Sequence, residues 1–315
     1  VSVAGVLVAL LQVALVLAGA PLLVGMMRQL RARLEGRAGA GVLQPWRDLR
    51  KLLRRPPMRA VGTSEVFAIA PLVMVATAVA VVAVVPFVST AAVPRAGADL
   101  FVVVGLLALG AVALVLAGLD VGTAFGGMGA SREITVLALV EPTLLVAIFA
   151  LSVPVGSTNL ADIVAAAVQD PTRVLSPAGL LAAVALGVAV IAETGRLPVD
   201  NPATHLELTM IHEALTLEYA GPDLALVELA SWMRLTVFLG LWATLFTPWG
   251  VATSTAPWAV LGGVAAIAVK IAVLGAALAV GEVFLAKLRL FRVPELLAGS
   301  FLLALLAVTT SYLLA

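Results

Sequence analysis

The chain has 315 residues, 62% of them hydrophobic and 12% charged, with a net charge of +1 and a mean hydropathy of +1.14. A soluble domain carries about 25% charged residues, so this composition describes an integral membrane protein. With no cysteine and only two histidines, disulfides, thiolate nucleophiles and cysteine-held iron–sulfur clusters or zinc are excluded, and no cofactor or redox centre is expected in this chain.

The first 27 residues carry no charge, and arginines follow the apolar run rather than precede it. A secretory signal has the reverse order, so the stretch reads as a retained first span. About 20 apolar residues cross the hydrocarbon core as a helix. Eight stretches qualify: 3–27, 66–88, 100–119, 133–153, 176–195, 224–247, 258–284 and 295–314. The sixth and seventh are parted by Thr247-Pro248-Trp249-Gly250, a turn signal with an interfacial tryptophan. The expectation is an all-α polytopic protein, a single membrane domain over 1–315 with about eight transmembrane helices.

Ten of the 19 basic residues fall in the loop 28–60 after the first span. Placing that loop in the cytoplasm puts both termini outside. It also brings Arg132, Arg196, Lys287, Arg289 and Arg292 to cytoplasmic turns and leaves only Arg95 and Arg173 in outer loops. Within the basic loop, Gly36, Gly39 and Gly41 break the emerging helix. A cytoplasmic amphipathic helix is expected from Trp46 to Arg55, with Trp46, Leu49 and Leu53 on one face and Arg47, Arg50, Lys51 and Arg54 on the other. It serves either as a lipid-surface anchor or as a docking floor for a cytoplasmic partner.

Gly118, Gly122 and Gly126 have the four-residue spacing that lets helices approach closely in lipid. The glycine-rich stretch Gly122–Glu133 fits neither phosphate-binding order and follows an apolar span. It reads as a tight cytoplasmic turn under a partner, not a nucleotide site.

Ionisable residues at membrane depth are costly and mark cavities, partners or ion paths. Here they are Glu141 in span four, Glu193 at the inner end of span five, Glu228 and Arg234 in span six, and Lys270 and Glu282 in span seven. Two readings stand for each: a buried salt bridge that fixes packing, or a member of a proton path. The set as a whole favours the path. The acidic cytoplasmic loop 196–222 holds Arg196, Asp200, Glu207, Glu213, Glu218 and both histidines, His205 and His212. Pro198 and Pro202 interrupt the helix, and a new one is expected from His205 to Tyr219. Two histidines seven residues apart lie about 10 Å from each other along such a helix, too far to share a metal.

GAPLLVGMMRQLRARLEGRAGAGVLQPWRDLRKLLRR after span one, GASRE and LVEP around span four, AETGRLPVDNPATHLELTMIHEALTLEYAG after span five and the closing LRLFRVPELL together resemble one family. It is the H-type membrane subunit (subunit 1) of respiratory complex I, in the branch found in formate hydrogenlyase and membrane-bound group 4 nickel–iron hydrogenases. The resemblance spans nearly the whole chain. It implies an eight-helix cell-membrane subunit that anchors the redox arm and begins the membrane proton path. It also implies partners: a hydrogenase large subunit with the nickel–iron (NiFe) centre, a small subunit with iron–sulfur clusters, and an antiporter-like membrane subunit.

On that resemblance Glu193, Arg196, Asp200 and Glu207 match the acidic motif at the start of the path, and Glu133 and Glu141 match the motif around span four. The expected path comprises Glu133, Glu141, Glu193, Asp200, Glu207, Glu213, Glu218, Glu228, Lys270 and Glu282. The expected docking residues are Arg37, Gln44, Arg47, Asp48, Arg132 and Arg196. Where complex I carries three alternating acids, this chain has Ala203, His205 and Glu207, and its Glu218-Tyr219 pair falls about three residues late. That pattern suits the hydrogenase branch, in which no quinone is expected. A quinone-binding complex I subunit and a stand-alone ion transporter are the alternatives. The second lacks the inverted repeats and broken mid-membrane helices typical of transporters.

Overall fold

The computed structural model describes residues 3–92, 97–200, 210–288 and 292–314. Its helices are α1 (Val3–Leu34), α2 (Gln44–Leu53), α3 (Glu65–Val84), α4 (Leu100–Asp120), α5 (Ala124–Ser152), α6 (Leu160–Gln169), α7 (Pro177–Glu193), α8 (His212–Thr216), α9 (Gly221–Phe246), α10 (Pro257–Phe284) and α11 (Val293–Leu314). Among the described residues β pairing is limited to two isolated bridges, Ser89 with Ala252 and Asp99 with Asn159.

Seven helices are long and apolar enough to cross a membrane: α1, α3, α4, α5, α9, α10 and α11. The fifth expected span is α7, a shorter apolar helix of 17 residues. It nevertheless runs the length of the bundle, from the end that holds α6 back to the end that holds the basic loop. Val3 and Leu314 accordingly share one end of the bundle. Near that end Gln12 donates to the carbonyls of Val82 and Val85 and accepts from the Val88 amide, and Ser311 donates to Ala150 O at 2.8 Å.

The centre of the bundle is α9. Leu235 through Leu241 are buried without a break, and a helix apolar on every side belongs in a core. It packs against α1, α3 and α10 on one side and α7 on the other, while α5, α7 and α11 form their own group and α3 pairs with α4. Side-chain caps start the helices: Ser64 for α3, Asp99 for α4, Thr123 for α5, Asn159 for α6 and Ser176 for α7. Each satisfies a backbone amide that the helix itself leaves open.

Three expectations change. Helix α5 begins at Ala124, not near 133, so Gly126, Gly129 and Arg132 lie in a helix rather than a turn. The turn is confined to Val121–Thr123, where Gly122 has φ +70. The glycines do not break α5 because they are seats: a Cβ on Gly126 would meet Gly118 O, and one on Gly129 would meet the Ala214 side chain at 2.8 Å. Of the helix expected over 205–219, the described part contains α8 alone, preceded by Met210 and Ile211 in irregular conformation. Ala203, His205 and Glu207 lie outside the described residues. Helix α2 has the expected place but a rotated face: Pro45 and Leu49 are buried, whereas Trp46 and Leu53 are exposed. The rotation follows from its seat on α1, where Gly25 packs against the Val42 carbonyl and Pro45. Helix α6 was not expected; at 10 residues it is too short to register as a span.

Gly25 has no room for a methyl group, since its Cβ would overlap the Val42 carbonyl. Gly25→Ala should therefore lift α2 from α1 and cost about 1–3 kcal/mol. A lowered thermal midpoint in detergent and faster proteolysis within 28–60 would show it, and an unchanged midpoint would contradict this seating.

Candidate functional site

The acidic and basic side chains converge at the end of the bundle where α7 stops. That helix ends in a Schellman motif: Gly195 N–H donates to Ala192 O and Arg196 N–H to Ile191 O, with Gly195 at φ +59. Only glycine enters this left-handed conformation at little cost. The motif leaves Glu193 in the last turn facing inward and turns Arg196 back toward the bundle.

Glu193 is 6% exposed and is paired with Arg234 of α9. Arg234 lies 13 residues into its helix, about 20 Å from the helix start. Its guanidinium passes beside Gly110 of α4, where an added Cβ would be in ordinary van der Waals contact with it at 3.6 Å but would collide with Thr77 Oγ1 of α3 at 2.8 Å. Glu141 of α5 stands within electrostatic reach of both Glu193 and Arg234. Pro142 follows it and deprives the Ala138 carbonyl of its usual helical donor.

A second pair joins His212 Nδ1 to Glu133 at 3.6 Å, and His212 Nε2 lies 3.3 Å from Ser231 Oγ of α9. Burial opposes the imidazolium, but the hydrogen bond and charge of Glu133 outweigh it and hold the His212 pKa above its ordinary value. Arg132 Nη1 donates to Met210 O at 2.7 Å and fixes the segment that carries His212.

A third group closes the cluster. Glu282 of α10 accepts from Arg31 of α1 at 3.2 Å and from Arg196 at 3.1 Å. Lys287 donates to Asp200 at 2.6 Å. These groups surround a polar cavity of about 130 Å³, lined among others by Glu193, Asp200, His212, Glu213, Glu228 and Glu282 together with Arg28, Arg31, Arg196 and Arg234. Among the described residues no three His, Asp or Glu side chains are placed to hold a metal ion. The arrangement can hold water against several carboxylates and one imidazole at membrane depth, which is what proton exchange between fixed groups requires.

The sequence matches the family model described as NADH dehydrogenase over residues 6–312. The chain belongs to the NADH dehydrogenase family. Within it, the chain is 35% identical to formate hydrogenlyase subunit 4 of Escherichia coli K12, covering 96% of this chain and 97% of the relative. It is 31% identical to hydrogenase-4 component C of the same organism, covering 96% and 94%. The H subunit of NADH-quinone oxidoreductase from Ralstonia nicotianae is 32% identical over 65% of this chain and 60% of that protein. A chain in the structure of an archaeal respiratory membrane complex, the membrane-bound sulfane sulfur reductase, has the same fold. It superposes with a TM-score of 0.83 at 19% identity, over 97% of this chain and 98% of that one.

In this member of the NADH dehydrogenase family, the cluster gathers six of the expected path residues around its main cavity: Glu193, Asp200, Glu213, Glu228, Glu282 and, through His212, Glu133. Glu141 lies beyond Arg234. Glu218 turns aside to accept from Thr123 at 2.8 Å. Lys270 stands apart, with its ammonium on the carbonyls of Thr247 and Trp249 in the turn at the opposite end. Of the expected docking residues, Arg196 is drawn into the cluster and Arg132 onto Met210. Gln44 and Asp48 bond to each other at 2.9 Å, Arg37 pairs with Glu35, and Arg47 lies on the exposed face of α2. Sequence reasoning set Arg234 among the ionisable groups of the spans without naming Glu193 as its partner, and missed Arg28, Arg31 and Lys287 as members of the cluster. Arg234 carried a signal, because an arginine within a span requires a counter-ion; the other three were absorbed into the count of cytoplasmic charge.

Both pairs can be tested by substitution. Arg234→Met leaves Glu193 buried without its cation and should cost about 3–5 kcal/mol, whereas adding Glu193→Leu should restore most of it; denaturation in detergent measures both. The raised His212 pKa implies stabilisation that is complete below the unfolded value of about 6.5 and is lost as pH rises through the folded value. The thermal midpoint should fall across that alkaline side, and His212→Gln should flatten the fall.

Proposed function

We propose that this chain is the membrane anchor and proton-coupling subunit of a membrane-bound nickel–iron hydrogenase complex of the formate hydrogenlyase type, in the cell (inner) membrane. The observation that carries the reading is the cavity where carboxylates of α7, α8, α9 and α10 meet arginines of α1 and α9 around His212. The relatives that match it end to end, formate hydrogenlyase subunit 4 and hydrogenase-4 component C, support the choice of complex. The shorter match to the quinone-linked relative makes quinone binding the weaker assignment.

The basic end faces the cytoplasm in this reading, as the charge asymmetry favours. The hydrogenase large and small subunits dock there, and the NiFe centre and iron–sulfur clusters reside in them. An antiporter-like subunit continues the path in the membrane. Protons enter at Glu213 and Glu228, exchange through His212 with Glu133, and pass Glu193 toward Arg234 and Glu141. A redox change in the docked subunits moves charge near the segments 196–200 and 210–220. That shifts the His212–Glu133 and Glu193–Arg234 pairs between open and closed arrangements.

Proteoliposomes holding the assembled complex test the assignment. Glu228→Gln and Glu193→Gln should lose most of the protons translocated per electron while hydrogen evolution with an artificial donor persists. An unchanged proton-to-electron ratio in both variants would overturn the coupling role.

A further inference from the structure

The polar cavity is not the only void in the described structure. A second cavity of about 420 Å³ lies between α1, α9 and α10. Only Gln12 and Thr236 in its lining are polar, and both are engaged with backbone: Gln12 with Val82, Val85 and Val88, and Thr236 with Trp232 O at 2.9 Å. A void so apolar stays dry. Leu15 and Leu22 of α1 line it and are each 38% exposed, so it borders the lipid-facing surface. A Cβ on Gly19, which also lines it, would meet nothing within 4 Å.

At its basic end the cavity is lined by Met26 and Val42. Gly25 presses against the Val42 carbonyl and Pro45 at that point, so the first turn of α2 stands over the cavity mouth. Arg47, three residues beyond Gln44, is only about 5 Å further along the helix. From there Arg47, Arg50, Lys51, Arg54 and Arg55 line one exposed groove. No acid shares it: Asp48 is held by Gln44, and Glu35 by Arg37 and Arg31. Trp46 and Leu53 of the same helix are exposed at 40% and 57%, as suits a helix lying at the boundary between headgroups and hydrocarbon.

We propose that this composite of apolar cavity and basic groove binds one anionic phospholipid, with an acyl chain between α1 and α10 and the phosphate on the basic face of α2. Five cations beside an amphipathic helix complement an acidic headgroup. The adjoining dry cavity and the two exposed apolar side chains favour a lipid over an acidic protein surface. Arg47 thereby passes from partner docking to lipid binding. The inference does not depend on the proton-coupling role.

The purified complex in nanodiscs, with spin-labelled phosphatidylglycerol or phosphatidylcholine, tests it. The wild type should immobilise one labelled lipid and prefer phosphatidylglycerol. Arg47→Gln, Arg50→Gln and Lys51→Gln combined should cut that preference by about tenfold or more while a phosphatidylcholine signal remains. Gly19→Leu should remove the immobilised signal without lowering the thermal midpoint. Ala272→Leu fills the same cavity from α10 and replaces it if Gly19→Leu fails to assemble. Equal retention of both lipids overturns the proposal. So does one-for-one displacement of the label by a quinone analogue, or a charge preference that vanishes only when a soluble acidic subunit is removed.

Discussion

An arginine and a glutamate paired about 20 Å along a buried helix constrain everything around them. Neither can stay ionised in hydrocarbon alone, and each is worth keeping only if the other remains in reach. The Glu193–Arg234 pair therefore holds the end of α7 against the middle of α9. The guanidinium passes Gly110 of α4, whose missing side chain makes room for Thr77 of α3. The central position of α9 is the packing expression of this electrostatic requirement.

Around that pair the remaining charges act as ties between chain segments distant in sequence. Glu282 joins α1, α10 and the turn after α7 through two guanidiniums. His212 joins α8 to α5 and α9. The short helix α8 could not hold such a place by its own stability. It is held by small-residue contacts, with Leu215 against Gly118 and Ala214 against Gly129, and by Arg132 on Met210. Packing sets the distance and charge sets the register.

Much of the fold was legible in the sequence because hydropathy reports depth, and depth is one coordinate of a membrane helix. Apolar length located the crossing helices, including the short α7. What depth does not report is direction around the axis. Glu228, Lys270 and Glu282 all read as ionisable groups in spans, yet only Glu228 and Glu282 face the polar cavity while Lys270 caps carbonyls at the far turn. Glycine was ambiguous for the same reason: in Gly122 it makes a turn, and in Gly126 and Gly129 it makes a seat inside a helix. Arg31 and Lys287 looked like solvated charges because their acidic partners lie in remote segments.

The brevity of α7 has a consequence for the bilayer itself. Its 17 residues rise about 25 Å, against a hydrocarbon core of about 30 Å. Its neighbours α5, α9 and α11 are longer, and the polar cavity lies at the end of α7 that carries Glu193. A bilayer that seals around α7 must therefore thin by a few ångströms beside it, or polar residues at the helix ends must reach outward to cover the difference.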